Sequence, residues 1–234
     1  MSGAGVARRS IDEMGCQGML LTEEDKKAIA EAVKKSEMLT SGEIVFALTD
    51  ASDHYRHATL QGALAGSILA TAAYLLLPAP QTIGMLLWTE IMAFAVFYAL
   101  IPHLPCRRWF ISSREMDDRV QEAAFREFYS SGLHKTREAN GIVIYLSCLE
   151  RRVVVLGDKG IHERMGDAHW GEVRNRIIDG IKQGKAREGI CAGIESCGKA
   201  LAGHFPRRSD DVDELPNEVI NRQLSDRRRD PSRA

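Results

Sequence analysis

Residues 59–101 constrain this chain more than any other stretch. They read TLQGALAGSILATAAYLLL, then PAPQT, then IGMLLWTEIMAFAVFYALI, which is two runs of nineteen residues with no Lys, Arg or Asp and a single acid, Glu90. A helix of about 20 apolar residues is long enough to cross the ~30 Å hydrocarbon core of a bilayer. Pro78 and Pro80 lie between the runs, where proline ends a helix and lets the chain reverse. The stretch predicts a hairpin of two membrane-spanning helices, and the other residues have to be placed relative to it.

The flanks give that hairpin an orientation. Arg56 precedes it, Arg107, Arg108 and Arg114 follow it, and the connecting turn holds no Lys or Arg. Positive charge collects on the cytosolic side, so both flanks are expected there. The first twenty residues have Arg8 and Arg9 but no apolar core of useful length, so no signal peptide is expected and the N-terminus should stay cytosolic. The remaining sequence is not that of a polytopic membrane protein, because 27% of the 234 residues are charged. With 31 Lys and Arg against 32 Asp and Glu, there is no global bias towards nucleic acid. Five cysteines, Cys16, Cys106, Cys148, Cys191 and Cys197, have no regular spacing, which fits free thiols in a reducing compartment.

Read in order, residues 1–20 form a loose arm. A helix then starts at Thr22, with an acidic first turn, lysines towards its end and capping-box spacing between Thr22 and Asp25. Ile44 to Leu48 is a short β-rich run, apolar on both faces, as a central strand requires. After the hairpin, Pro102 and Pro105 end the second span. Cys106 to Ile111 has interfacial character, with Trp109 beside Arg107 and Arg108. Ser113 opens an amphipathic helix that Gly132 closes. The run VVVLG follows IVIYLSC after four residues, and the short link Leu149-Glu150-Arg151 predicts an antiparallel strand pair. Two more helices are expected, the first after a break at Gly166-Asp167 and the second after Gly184, each with one apolar face. The tail beyond Pro206 is charged and balanced, and is expected to be disordered, with a short helix around residues 215–224 as an alternative. The expected divisions are 1–20, 21–57, 58–104, 105–205 and 206–234. Residues 21–57 and 105–205 together form one α/β domain interrupted by the hairpin at 58–104.

In this order and spacing the sequence resembles the TPM domain family, in particular a bacterial branch of membrane proteins with an internal transmembrane hairpin. The residues that carry the resemblance are Thr40-Ser41-Gly42-Glu43-Ile44-Val45, Asn140-Gly141-Ile142-Val143-Ile144, Glu150-Arg151-Arg152-Val153 with Gly157-Asp158-Lys159-Gly160-Ile161, and Gly184 to Gly189 with Ile190. The resemblance implies an αβα sandwich and a place in the bacterial inner membrane. Some exported members bind calcium, one lumenal member is linked to acid phosphatase activity and photosystem repair, and others are membrane-tethered accessory proteins. Two features differ from the exported members. Residues 14–21 read MGCQGMLL rather than carrying a D-x-A-G segment, and the expected anchor is internal. Weak calcium sites of the extracellular type would stay empty in the cytosol.

Several residues are candidates for chemistry. Asp158 and Glu43 stand at strand ends and, with Glu150 and Asp167, offer hard oxygen ligands for a divalent cation. Their alternative roles are a helix cap and solvated strand ends. His162 and His169 flank Asp167, and His134 to Arg137 is a basic loop. Cys148 lies on a buried strand without a base in sight. Phosphate-loop, dinucleotide, nucleophile-elbow and zinc-protease motifs are absent from the sequence. Glu90, about 10 Å into the second span, is expected to lie level with Ala70 and Thr71, where Thr71, Ser67 or Tyr74 can bond it. Gly62 and Gly66 form a GxxxG that permits close helix contact, within the hairpin or between copies. Two functions remain open at this point. One is a non-enzymatic accessory in the assembly or maintenance of a membrane complex, with the bilayer and other membrane proteins or a second copy as partners. The other is a divalent-metal-dependent phosphatase at the cytosolic membrane face.

Overall fold

The computed structural model describes residues 21–76, 82–136, 138–207 and 219–222. The proline break at Pro78 and Pro80, the N-terminal arm and most of the charged tail lie outside the described residues. The chain divides into two compact units, Met1–Ser52 with Asp117–Ala234, and Asp53–Met116.

The first unit is a mixed α/β domain. Helix α1, Glu23–Glu37, opens on the expected capping box. The Asp25 amide donates to Thr22 Oγ1 at 3.2 Å, and the Thr22 amide donates back to Asp25 Oδ2 at 3.0 Å. The Thr22 hydroxyl and amide together hold the Asp25 carboxyl below its ordinary range. Strand β1, Ile44–Thr49, pairs in parallel with β2, Ile142–Ser147, from Ile44 opposite Ile142 to Thr49 opposite Ser147. Strand β3, Arg152–Gly157, folds back antiparallel on β2, as the short link predicted. A three-residue strand, β4 at Ile220–Arg222, lies parallel on the free edge of β1, giving the order β3-β2-β1-β4. The sequence predicts disorder for this tail, with a short helix around residues 215–224 as the alternative, and the strand differs from both. Pairing with the unpaired edge of β1 satisfies backbone groups that would otherwise face no partner.

Side-chain alternation along the strands sorts the core into two layers. Ile44, Phe46, Leu48, Ile142, Ile144 and Leu146 face α1 and two later helices, while Val45, Ala47, Val143 and Tyr145 face α4. The elements between β1 and β2 are α2, Arg56–Leu75, α3, Ile83–Leu100, and α4, Ser113–Ser130. All six residues of β1 and all six of β2 are buried, which explains why both strands read as continuous apolar runs.

Helix α5, Lys159–Lys182, starts eight residues before the expected break and runs straight through Gly166-Asp167. Glycine inside a helix costs about 1 kcal/mol. Here Ile161 and Trp170, both buried in the core on either side of Gly166, hold the turn in place. Helix α6, Ala186–His204, presents Ile190, Ile194, Cys197 and Leu201 to the core, as the sequence pattern predicted. Gly184, at φ +72°, ends α5 in the left-handed region where glycine has no Cβ penalty. The two helices then approach at Gly180 and Gly189, so closely that a Cβ on Gly180 would lie 2.4 Å from the Gly189 Cα.

In the second unit, α2 and α3 pack against each other and are followed by two short 3-10 segments, Ile101–His103 and Pro105–Phe110. Both helices are long and apolar enough to cross a membrane. At 20 and 18 residues they reach roughly 30 and 27 Å. Helix α2 buries Ala58, Thr59, Gly62, Ala63 and Ser67, whereas α3 buries no residue at all.

The glycine contact between α5 and α6 yields a direct test. Gly189→Val has no room for its side chain, so it should lower stability by about 2 kcal/mol or more, whereas Gly203→Ala, whose Cβ would meet nothing within 4 Å, should be neutral. Thermal unfolding of the full chain in detergent, followed by circular dichroism, checks this. An unchanged midpoint in Gly189→Val would contradict the packing described.

Candidate functional site

Register decides where the candidate acids meet. The Ile142 amide donates to the Glu43 carbonyl at 2.8 Å, and the Asp158 amide donates to the Gly141 carbonyl at 2.9 Å. Glu43, Gly141 and Asp158 therefore stand at one end of the sheet, a relation that the sequence left open. Strand β2 separates Glu43 from Asp158, so their backbones are about 10 Å apart at the usual strand spacing. Glu43 is buried. The Asp158 carboxylate caps α5, accepting from the Lys159 amide at 2.6 Å. Neighbouring polar side chains at this end also serve the backbone. Glu37 Oε1 accepts from the Ile44 amide at 2.9 Å, and Asn140 Nδ2 donates to the Ser41 carbonyl at 2.7 Å.

Glu150 lies at the opposite end, beyond Thr49 and Ser147, and so cannot join Glu43 and Asp158 in one site. Its side chain is fully buried at 0% exposure. It accepts from the Ser52 amide at 2.8 Å and from the Ser147 hydroxyl, while the Ser52 hydroxyl donates to Ser147 Oγ at 3.0 Å. The backbone repeats the connection, since the Cys148 and Leu149 amides donate to the Thr49 and Asp50 carbonyls, each at 2.9 Å. This network clips the loop after β1 to the turn after β2. Burial closes it to substrate, so its chemistry is structural. Sequence reasoning did not identify Ser52 or Ser147. The two are 95 positions apart, and no periodic signal connects them.

Among the described residues there is no group of three or more His, Cys, Asp or Glu side chains that could hold a metal ion. The side chains of His162, Asp167 and His169, and the whole of Arg137, lie outside the described residues. The His134 ring lies 5.1 Å from that of Tyr129. Cys148 is buried in the turn after β2. Complete burial pushes the Cys197 thiol up to about 12, so it holds its proton and is not a nucleophile.

The hairpin holds a separate polar cluster. The Ser67 hydroxyl donates to Glu90 Oε1 at 2.7 Å, and the Thr71 hydroxyl donates to Oε2 at 2.5 Å. Positions 67 and 71 are one helical turn apart, so both hydroxyls face α3. The GxxxG lies on the same side of α2. A Cβ on Gly66 would fall 2.5 Å from the Phe97 ring, and one on Gly62 would fall 3.1 Å from Ile101. These glycines admit side chains of the other helix of the same hairpin.

Two tests follow from the clusters. Glu150→Ala strands the Ser52 amide and the Ser147 hydroxyl in a dry interior and should cost about 1–3 kcal/mol. Glu150→Gln, which keeps one acceptor, should cost less, and equal thermal midpoints for the two variants would argue against the clip. Ser67→Ala combined with Thr71→Ala should weaken α2–α3 pairing by about 1–2 kcal/mol. A cysteine pair placed across the helices should then crosslink more slowly, and an unchanged rate would show that Glu90 does not join them.

Among curated proteins, none matches this chain in sequence. The fold is similar to the NMR structure of the BA42 protein from the psychrophilic bacterium Bizionia argentinensis. The TM-score is 0.56 and the sequences are 27% identical, over 87% of this chain and 96% of that one. Residues 108–200, which run from the end of the hairpin through α4, β2, β3 and α5 and into α6, match the TPM domain.

Proposed function

We propose that this chain is a membrane-anchored TPM-domain protein. Helices α2 and α3 cross the bacterial inner membrane as a hairpin, and both flanks lie on the cytosolic side. The α/β domain serves there as a non-enzymatic accessory in the assembly or maintenance of a membrane complex, binding other membrane proteins or a second copy. The observation that carries the anchoring is the exposure of α3, where Ile83 is 82% and Trp88 66% exposed and no residue is buried. A water-soluble chain rarely leaves so large a contiguous apolar surface uncovered, whereas lipid covers it at no cost. The accessory role follows from the acids at the sheet ends. Asp158 caps a helix, Glu37 and Glu150 hold backbone amides, and each is engaged in architecture.

The second reading, a divalent-metal-dependent phosphatase at the cytosolic face, is favoured by one observation, the shared sheet end of Glu43 and Asp158. Carbonate extraction of membranes should leave the full chain in the pellet, and release into the supernatant would sink the anchoring. Phosphate release should be absent with magnesium, calcium or manganese. Activity that disappears in Asp158→Asn and Glu43→Gln would replace the accessory reading with the enzymatic one.

A further inference from the structure

One end of the hairpin carries residues that spanning alone does not require. Gly62 sits against Ile101, so the first turns of α2 and the last turn of α3 are level. Pro102 and Pro105 then break the helix, and the two 3-10 segments turn the chain aside and pack along α2. This stretch is tied down. The Leu104, Arg107 and Ile111 amides donate to the Ile101, Leu104 and Arg108 carbonyls at 3.1, 3.2 and 3.2 Å, and Ile101, Arg107 and Ile111 are buried. Trp109, on the same ordered segment, is nevertheless 85% exposed. An indole held into solvent on a fixed backbone is costly in water. Its apolar body and single N–H donor suit the boundary between acyl chains and headgroups.

Charge gathers at the same end. Arg56 is the first residue of α2, Arg114 the second of α4, and both are exposed, while Arg108 is half-buried in the 3-10 segment. The acid beside them, Glu115, is engaged by His57 at 3.3 Å. The connection between the two helices has no Lys or Arg, so the cationic collar belongs to one end only.

We propose that residues 101–111 form an interfacial foot lying in the headgroup layer of an anionic bilayer, with Trp109 at the acyl boundary and the exposed Arg56 and Arg114 facing lipid phosphates. The proposal rests on the reading of α2 and α3 as membrane-spanning. The occupant is lipid rather than protein because Trp109 lies exposed just beyond the end of α3, whose own large apolar side chains are exposed, and the flanking charges complement anionic headgroups.

The full chain is reconstituted in vesicles of phosphatidylcholine with and without phosphatidylglycerol, and tryptophan emission is quenched by lipids brominated near the headgroup end or near the tail end of the acyl chain. Buried Trp170 is kept throughout, so Trp88→Phe reports Trp109 and Trp109→Phe reports Trp88. The foot predicts that Trp109 is quenched best by the shallow bromines. It also predicts that brominated phosphatidylglycerol associates roughly fivefold more tightly than the phosphatidylcholine analogue per exposed arginine. Arg56→Gln and Arg114→Gln combined should remove that preference while leaving the Trp88 signal unchanged. If Trp88 is quenched by lipid but Trp109 responds only to aqueous iodide, or to neither quencher, the foot is wrong and the hairpin stands. Equal quenching by the two lipids overturns the anionic preference. If lipid quenches neither tryptophan, the membrane reading itself fails.

Discussion

The parallel pairing of β1 with β2 is the constraint on which the α/β domain depends. Two parallel neighbours cannot be joined by a tight turn, so the chain between Thr49 and Ile142 has to cross over. Helix α4 supplies that crossover and covers one face of the sheet, while α1, α5 and α6 cover the other. With both faces covered, each residue of β1 and β2 is removed from water, and burying apolar area at about 25 cal/mol per Å² is the main term favouring the fold. A two-helix insertion in the crossover is compatible with this pairing because a hairpin returns the chain to the side from which it left.

Carboxylates at the two ends of the sheet show how the domain treats charge. A buried carboxylate without partners is among the most costly groups in an interior. Glu37 and Glu150 meet that requirement by accepting from the Ile44 and Ser52 amides and the Ser147 hydroxyl, of which the Ser52 amide comes from a segment 98 positions away. Asp158, only partly buried, caps the start of α5 by accepting from the adjacent Lys159 amide. Glu37 and Glu150 therefore hold loops to the sheet and Asp158 caps a helix, which is what supports the accessory role proposed above.

The hairpin answers a different problem. On the membrane-spanning reading proposed above, no hydrophobic term would draw the two helices together, so contact would depend on close packing and on hydrogen bonds. The rings and aliphatic groups of Phe97 and Ile101 seat on Gly66 and Gly62, and the hydroxyls of Ser67 and Thr71 converge on Glu90. With polar and small residues turned inwards, α3 is left with an outer surface of Ile83, Trp88, Ile91 and Met92, a composition suited to lipid.

What could be read in the sequence was local. The apolar length of residues 59–101, the capping box at Thr22, the three central strands with the β2–β3 turn, the face of α6 and the closeness of Glu90 to Ser67 and Thr71 all follow from spacing within one element or across one short turn. Tertiary structure decided the remainder. That Glu43 and Asp158 share a sheet end while Glu150 lies at the other depends on the register of strands about a hundred positions apart. The bond from Ser52 to Ser147, the seating of β4 on β1 and the run of α5 through Gly166 depend on partners that leave no periodic trace. Local propensity can mark where a helix is weak, as at Gly166. Only burial of Ile161 and Trp170 in a core assembled from elsewhere in the chain determines that it does not break.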